Sequence, residues 1–302
     1  MKLQKGLSIR MEQIRKAYKC GTCKFFDYNK QECTYKGNEL IPDALTTFDD
    51  LGNRICEYHV LRTTGEKTSG FYMYTPKERQ KVYFVSDLHF SHFNILKHHP
   101  SRRKQCGVTE DEMLNDIKGA VEKHDKWLIE LWNNTVTKKD IVYILGDFCL
   151  GNREQTEKIL NKLNGKKHLI VGNHDKSLKG LERYFESVSQ IKEVKFTNNQ
   201  FKFVNENETF CVELCHFPLL TWNRRNHGTV HIHGHSHGSI DGVNSSMGDL
   251  RVDVGLDAKI SNYHFVEVEE LYKYFINIIE QLGCKTFEEY NNKLIEQGGI
   301  KG

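Results

Sequence analysis

The segment Val82-Tyr-Phe-Val-Ser-Asp-Leu-His89 decides the fold of this 302-residue chain. Its first four residues are β-branched or aromatic and predict a short buried strand. Asp87 and His89 follow that strand two positions apart, and side chains at this spacing point the same way on an extended chain. The pair could therefore bind one metal ion at the carboxyl end of the strand, where the functional groups of α/β sheets collect.

Four further segments repeat this arrangement of a short apolar run followed by polar side chains that can bind metals. The runs and the residues after them are 141–145 with Gly146-Asp147, 168–171 with Gly172-Asn-His-Asp175, 209–214 with His216, and 229–233 with Gly234-His-Ser-His237. Helical periodicity separates the strands. Residues 109–134 predict a helix capped by Thr109, with Glu112 completing a capping box, and 154–163 predict a shorter helix. Strands that alternate with helices indicate an α/β layered domain.

Each of these motifs also has an ordinary structural explanation when it is taken alone. Asp-x-His after a strand is equally typical of an Asx turn with a surface histidine, and Gly-Asp is common in plain turns. A single histidine such as His216 is most often a packed or surface residue. Gly-Asn-His-Asp and Gly-His-Ser-His are more specific. The occurrence of all five in order, each after a strand, favours one shared metal site.

The five motifs together resemble the signature of the calcineurin-like metallophosphoesterase superfamily, which runs Asp-x-His, Gly-Asp, Gly-Asn-His-Asp/Glu, His and Gly-His-x-His, over residues 81–270. The wider segments His89-Phe-Ser-His-Phe-Asn-Ile, 142–147 and 216–219 are similar to the compact bacterial and phage branch of that superfamily. The resemblance implies a four-layer ββ-sandwich flanked by helices. It also implies two divalent or transition metal ions, with Mn, Fe and Zn as the candidates for these ligand types.

The resemblance assigns a role to each residue of the motifs. The first ion would be held by Asp87, His89 and His237, the second by Asn173, His216 and His235, and both by Asp147. Two ions held in this way would lower the pKa of a bound water, so that it could serve as the nucleophile near neutral pH. His174 would face the substrate and stabilise its oxygens or protonate the leaving group. Asp175 would orient His174 or the loop.

Several other polar residues have two interpretations each. His92, Asn94 and Arg102 are candidates for substrate contacts, with a structural turn or solvated surface as the alternative. Residues expected either to support the metal ligands or simply to pack and turn are His231, His233, Asp253 and Asp257. His98 and His99 precede Pro100 and are expected to be exposed.

Four cysteines near the N-terminus predict a second metal centre. Cys20, Cys23, Cys33 and Cys56 lie within 37 residues, a unit too small to bury a sufficient core without a staple. A reducing compartment disfavours disulfides, so four thiolates fit Zn or a [4Fe–4S] cluster. The pattern also resembles small high-potential-type iron–sulfur modules. Four unlinked buried thiols are the alternative.

The composition is that of a globular protein, with 38% hydrophobic and 27% charged residues and a net charge of +3. The chain lacks both the ~20 apolar residues that a membrane-spanning helix needs and, after Met1, the apolar core of a secretory signal. We therefore expect a cytoplasmic protein with no membrane partner. The predicted organisation is a Cys-rich metal-binding module at 1–61, a polar linker at 62–80, a phosphoesterase domain at 81–275 and a helical C-terminal tail at 276–302. Closing helices are predicted at 271–279 and 286–297.

The resemblance predicts a metal-dependent phosphoesterase, and similarity to the compact branch favours a phosphodiester or nucleotide substrate over a monoester. A phosphate ester, including a nucleotide or a nucleic acid, is therefore the expected partner. The alternative is a non-catalytic, metal-stabilised module that binds nucleic acid or protein. Such a module would be free to lose the substrate-facing His174, so its presence beside a complete ligand set favours an enzyme.

Overall fold

In a computed structural model, the chain divides into two compact units, Met1–Arg79 and Gln80–Gly302. The structure describes residues 80–197, 209–246 and 250–296, together with four two-residue strands nearer the N-terminus. Within these ranges, none of the helices combines the length and the apolar character that crossing a bilayer requires.

Two short antiparallel strand pairs are described in the first unit. They are β1 (Phe26–Asp27) with β2 (Glu32–Cys33), and β3 (Thr47–Phe48) with β4 (Arg54–Ile55). Of the four cysteines predicted to bind a metal, Cys33 ends β2, whereas Cys20, Cys23 and Cys56 lie outside the described residues. Nearly all of the predicted linker at 62–80 lies outside them as well.

The first sheet of the second unit has five strands in the order β13-β5-β6-β7-β8. Four of them are parallel, namely β5 (Val82–Val85), β6 (Ile141–Ile144), β7 (Lys166–Ile170) and β8 (Ser187–Ser189), and β13 (Val266–Glu267) is an antiparallel edge. All four residues of β5 are buried. A parallel strand covered on both faces is apolar throughout rather than alternating, which explains the Val-Tyr-Phe-Val run.

The second sheet has four strands in the order β12-β11-β10-β9. They are β9 (Ile191–Thr197), β10 (Thr209–Cys215), β11 (Val230–His233) and β12 (Arg251–Asp253). The strands β10, β11 and β12 are parallel, and β9 is antiparallel to β10. The carboxyl ends of β10 and β11, from which His216 and Gly234-His-Ser-His237 continue, therefore lie at one edge of this sheet.

Eight helices complete the described part of the second unit. They are α1 (Phe93–His98), α2 (Pro100–Gln105), α3 (Glu110–Asn115), α4 (Ile117–Thr135), α5 (Arg153–Leu160), α6 (Asp241–Ser246), α7 (Val268–Gln281) and α8 (Phe287–Glu296). The capping box of Thr109 and Glu112 is confirmed. The single helix expected over 109–134 is wrong in one respect, because it breaks at Asp116. That side chain accepts from the backbone N–H of Gly119 and so begins a new helix.

Two hydrophobic clusters lie on opposite faces of the first sheet. On one face, Phe84 stacks on Tyr143 at 5.5 Å between ring centroids and meets Phe196 of the second sheet edge-on at 6.1 Å. On the other face, residues of β5 and β6 share a cluster with Leu128 and Trp132 of α4. The mixed α/β architecture of two sheets and flanking helices is confirmed.

The C-terminal helices are part of the same core. Phe275 and Ile279 of α7 and Phe287 of α8 are buried in the cluster between the sheets. The boundary predicted between residues 275 and 276 falls inside α7, so the helical tail does not form a separate segment. The ring of Phe287 in α8 packs beside β10, with its centroid 5.6 Å from that of Phe210.

Candidate metal centre

Loops from both sheets meet at the carboxyl ends of their parallel strands. The strands β5, β6 and β7 are followed by Asp87, Asp147 and Asn173, and β10 and β11 are followed by His216 and His235. Two contacts join the sheets directly. The backbone N–H of His235 donates to Asp87 Oδ2 at 2.9 Å, and His216 Nδ1 lies 2.6 Å from the carbonyl oxygen of Leu145. The site is therefore assembled across the sandwich rather than on one sheet.

The loop backbone is strained at many of the predicted ligands. Positive φ angles occur at Asp87 (56°), His89 (52°), Asp147 (51°), His235 (68°) and His237 (48°). Non-glycine residues rarely adopt this conformation, and such strain concentrates at functional sites. At these positions the strained conformations occur in tight loops whose side chains converge on one point.

Asp87, His89 and His237 form the first cluster, in which one ligand atom from each lies within 4.8 Å of the others. The Nε2 atoms of the two histidines are 3.2 Å apart, and they lie 3.8 and 3.6 Å from Asp87 Oδ1. Burial alone would raise the pKa of Asp87, but the nearby imidazoles of His89, His237 and His216 outweigh it, so the pKa is lowered.

The Oδ1 atom of Asp87 tests whether this cluster fits a cation. Asp87 is completely buried, and among the described residues this oxygen has no hydrogen-bond partner. A buried carboxylate oxygen without a partner is costly, and a metal ion would satisfy it. The donor set therefore fits a bound ion.

Asp147, His216 and His235 form the second cluster, again with ligand atoms within 4.8 Å of one another. Asp147 Oδ1 lies 3.6 Å from His216 Nε2, and Asn173 Oδ1 lies 3.0 Å from the same nitrogen. The other oxygen of Asp147, Oδ2, is 3.8 Å from His89 Nε2 in the first cluster. The carboxylate of Asp147 thus presents one oxygen to each cluster, which is the geometry that a bridging ligand requires.

His174 lies at the mouth of the site. Its Nε2 atom is 4.0 Å from Asp147 Oδ2, and its side chain is 49% exposed. The backbone N–H of His174 donates to Asp147 Oδ1 at 2.9 Å, which ties the loop to that carboxylate. An exposed imidazole beside Asp147 is placed to meet an incoming ligand.

Asp175 is buried, and its contacts are with the loop backbone. Its carboxylate accepts N–H groups from Gly172 at 2.7 Å, Asp147 at 3.1 Å and Phe148 at 2.8 Å. Burial raises the pKa of Asp175, and the three donors oppose that shift. Of the two roles expected for Asp175, these contacts fit the ordering of the loop.

The three candidate substrate contacts occupy different environments. His92 is half-buried, with Nδ1 3.2 Å from His89 Nδ1, and burial lowers its pKa to about 4. Asn94 is exposed in the first turn of α1. Arg102 corrects the expectation, because its side chain is 0% exposed and its donors contact Asp257 and the backbone. A buried guanidinium with these partners is not presented to a substrate.

Asp257 and His99 both contact His237, and the sequence predicted a supporting role only for Asp257, as one of two alternatives. Asp257 Oδ2 accepts from His237 Nδ1 at 2.8 Å, so it orients that imidazole. Burial alone would raise the pKa of Asp257, but the hydrogen bond from His237 and the charge of Arg102 lower it to about 2. His99, expected to be exposed, stacks on His237 at 4.6 Å between ring centroids. Its position next to Pro100 gave no sign of this contact.

The remaining polar residues pack rather than face the metal ligands. His231 Nδ1 lies 3.1 Å from the carbonyl oxygen of Glu213, and His233 Nε2 lies 3.1 Å from the amide nitrogen of Asn244. Asp253 accepts from the backbone N–H groups of Gly238 and Gly255, which makes it a turn residue. The packed polar strand face, one of the two interpretations of the histidines, is the arrangement found.

Comparison with known proteins indicates the family of the chain. Residues 80–239 match the model of a family described as calcineurin-like phosphoesterase. The uncharacterized protein MJ1445 of Methanocaldococcus jannaschii is 30% identical over 196 residues, which cover 64% of this chain and 90% of that protein. The Gene 66 protein of Mycobacterium phage D29 is 30% identical over 218 residues, covering 66% and 98% of the two chains.

One solved structure, a protein of unknown function from Aquifex aeolicus, aligns with a TM-score of 0.46 at 20% identity, over 65% of this chain and all of that one. The family model covers the segments from Asp87 to His237 that carry the candidate metal ligands. The chain therefore belongs to the calcineurin-like phosphoesterase family.

Proposed function

We propose that this chain hydrolyses phosphate esters at a centre of two metal ions and that it prefers phosphodiesters or nucleotides to monoesters. The observation that carries the proposal is the position of Asp147, whose two carboxylate oxygens approach His216 at 3.6 Å and His89 at 3.8 Å, in separate clusters. The proposed ligands are Asp87, His89 and His237 for one ion, Asn173, His216 and His235 for the other, and Asp147 for both.

Two bound ions would polarise the phosphoryl oxygens and lower the pKa of a water molecule, which is the chemistry that side chains alone supply poorly at neutral pH. The residues of the chain hold and orient the reactants. Asp147 and Asn173 contribute oxygen atoms and the histidines contribute ring nitrogens, a donor set that suits Mn, Fe or Zn. Asp257 fixes the ring of His237 so that Nε2 faces Asp87.

His174 is the proposed catalytic group outside the ligand set. Its imidazole is 49% exposed, and its Nε2 lies 4.0 Å from Asp147 Oδ2. In this position it can donate a hydrogen bond to a phosphoryl oxygen and a proton to the leaving oxygen.

The surface beside the second cluster supports an ester with a planar or apolar alcohol group. Phe217 is 43% exposed, and its ring lies 4.9 Å from the rings of both His216 and His235. Leu220 in the same loop is 73% exposed. An aromatic side chain next to the phosphate site can stack on a nucleobase, as in proteins that bind single-stranded nucleic acid. This surface favours a diester or nucleotide over a small monoester.

The proposal is tested by hydrolysis of bis-p-nitrophenyl phosphate and p-nitrophenyl phosphate with added Mn²⁺. We expect turnover of both, with the higher kcat/KM for the diester. Asp147→Asn should lose bound metal and nearly all activity, whereas His174→Ala should keep its metal and lose about 10²–10⁴-fold in kcat. His264→Ala, which removes an exposed imidazole paired with Glu270, is the matched control and should be unchanged.

Two outcomes would contradict the proposal. Full metal occupancy without turnover of either ester would favour the alternative of a non-catalytic binding module. Normal turnover by His174→Ala would show that this imidazole does not take part in the reaction.

A metal centre at the N-terminus is a further part of the proposal. The antiparallel pairing of β1 with β2 sets Cys33 opposite Phe26, a residue three positions after Cys23 in the sequence. Cys56 directly follows β4. We propose that these cysteines, with Cys20, bind Zn or a [4Fe–4S] cluster in a reducing compartment such as the cytoplasm. Absorption near 400 nm together with iron and sulfide in anaerobically purified protein would exclude Zn.

A further inference from the structure

Arg102 in α2 is completely buried, which is rare for an arginine and requires a matched partner. Its Nε donates to Asp257 Oδ1 at 2.9 Å, and its Nη2 donates to the other oxygen of the same carboxylate. The remaining donors reach two backbone carbonyl groups, with Nη1 3.0 Å from the oxygen of Leu88 and Nη2 2.9 Å from that of Asp87. One guanidinium therefore makes four hydrogen bonds to two separate segments.

One of those segments carries two members of the first cluster, and the other contacts the third. The carbonyl groups of Asp87 and Leu88 belong to the strained loop that carries Asp87 and His89, both at positive φ. Asp257, the other partner, accepts from Nδ1 of His237 at 2.8 Å. The planar fork of Arg102 thus links a loop after β5 in the first sheet to a histidine after β11 in the second.

The same helix packs on His237 from a second direction. His99, the residue before α2, stacks on the His237 ring with 28° between the planes, and its Nδ1 lies 3.8 Å from Asp257 Oδ2. The hydroxyl of Ser101 accepts from Tyr263 at 2.6 Å, which ties α2 to the loop beyond Asp257. The start of α2 is therefore anchored at three points around the first cluster.

We propose that Arg102 is a positioning residue for the first metal ion, and that it sets the geometry of Asp87, His89 and His237 without contacting the ion or the substrate. The proposal rests on the proposed function, because it concerns the ions of that site. None of the four hydrogen bonds of Arg102 described above reaches a residue of the second cluster. Loss of the guanidinium fork should therefore weaken one ion and spare the other.

The test compares Arg102→Lys with Arg103→Lys in the full-length protein. Lysine keeps the positive charge but offers a single ammonium in place of the fork. Arg103 is the next residue of the same helix and pairs with Glu110 at the surface, so its replacement is a matched control. Mn²⁺ binding is measured by calorimetric titration, and the bound state by electron paramagnetic resonance.

We expect the wild-type protein and Arg103→Lys to bind two Mn²⁺ ions and to show the spectrum of a coupled pair. Arg102→Lys should lose about 10–100-fold in affinity for one ion, the range found when groups that orient metal ligands are removed. At two equivalents of Mn²⁺ its spectrum should then contain the six-line signal of an isolated ion. A purely structural role would lower the urea midpoint and leave the relative affinity of the two ions unchanged.

Asp257→Asn provides a second, independent variant. It should weaken the same ion, and the double variant with Arg102→Lys should lose less than the product of the two single effects, because both changes break one linkage. If Arg102→Lys does not fold, Asp257→Asn decides the question. Two ions bound with wild-type affinity in the folded variants would overturn the role of Arg102 and leave the proposed function intact. Fewer than two ions in the wild-type protein would overturn the proposed function itself.

Discussion

Replacement of Asp175 by asparagine tests how the loop that carries Asn173 and His174 is held in place. The carboxylate of Asp175 accepts three backbone N–H groups, one on Oδ1 from Phe148 and two on Oδ2 from Asp147 and Gly172. An amide has one oxygen, so at least one of the three N–H groups must face an NH₂ group instead. The substitution changes no volume, and its effect therefore measures the hydrogen bonds.

The magnitude follows from the bonds that are lost. A hydrogen bond to a charged acceptor contributes about 1.5–3 kcal/mol, and the N–H left without a partner is buried. Burial raises the pKa of Asp175, so replacing the ionised group with a neutral one recovers part of that cost. We therefore expect Asp175→Asn to lower the free energy of unfolding by about 1–2.5 kcal/mol. Metal affinity should fall as well, because the same carboxylate accepts the backbone N–H of Asp147.

Urea denaturation followed by circular dichroism measures the change in the free energy of unfolding, with Asp116→Asn as the control. Asp116 caps α4 by accepting from Gly119 at 2.9 Å in an exposed position, and asparagine is an equally good cap. The control should therefore shift stability by less than about 0.5 kcal/mol. If Asp175→Asn were as stable as this control, the carboxylate would not be holding the loop, and the argument from its three donors would fail.

Three further substitutions test other parts of the structure. Gly234→Ala should fold but lose the first metal ion, because a Cβ atom there would lie 1.9 Å from Ser86 Oγ. Elemental analysis after dialysis measures the bound metal, and two tightly bound ions would contradict this expectation. Trp132→Phe should lower the free energy of unfolding, measured by urea denaturation, by about 1–3 kcal/mol, because it removes the indole N–H bond to the carbonyl oxygen of Asn164. No measurable change would show that this hydrogen bond is dispensable. Thr109→Ala should cost about 0.5–2 kcal/mol by removing the cap of α3, and an unchanged melting curve would argue against the capping box.

Much of this fold could be predicted because its local signals agree with its tertiary structure. Val82-Tyr-Phe-Val85 is apolar throughout since β5 is covered on both faces, and the polar residues after each strand mark the edge at which the site forms. The order of the five polar motifs could also be read directly from the sequence. The break at Asp116 was missed because a continuous apolar face masks a local cap, and only the side-chain bond to Gly119 shows where the second helix begins.

The residues that support the ligands could not be predicted in the same way. Arg102 lies in a basic run that is typical of solvated surface, and its burial depends on a carboxylate 155 positions later in the chain. His99 likewise reaches His237 only because α2 packs at that point. Such partners are fixed by tertiary packing rather than by any local pattern. Sequence reasoning therefore identified the candidate metal ligands more readily than the groups that contact and orient them.

The central claim is that one carboxylate, Asp147, joins two separate sets of ligands around two metal ions. Anomalous diffraction from crystals grown with Mn²⁺ measures this most directly, because it locates each ion independently of the protein model. We expect two peaks about 3.5–4 Å apart, one beside Asp87, His89 and His237 and the other beside His216, with Asp147 between them. A single peak, or two peaks with the Asp147 carboxylate away from one of them, would contradict the account.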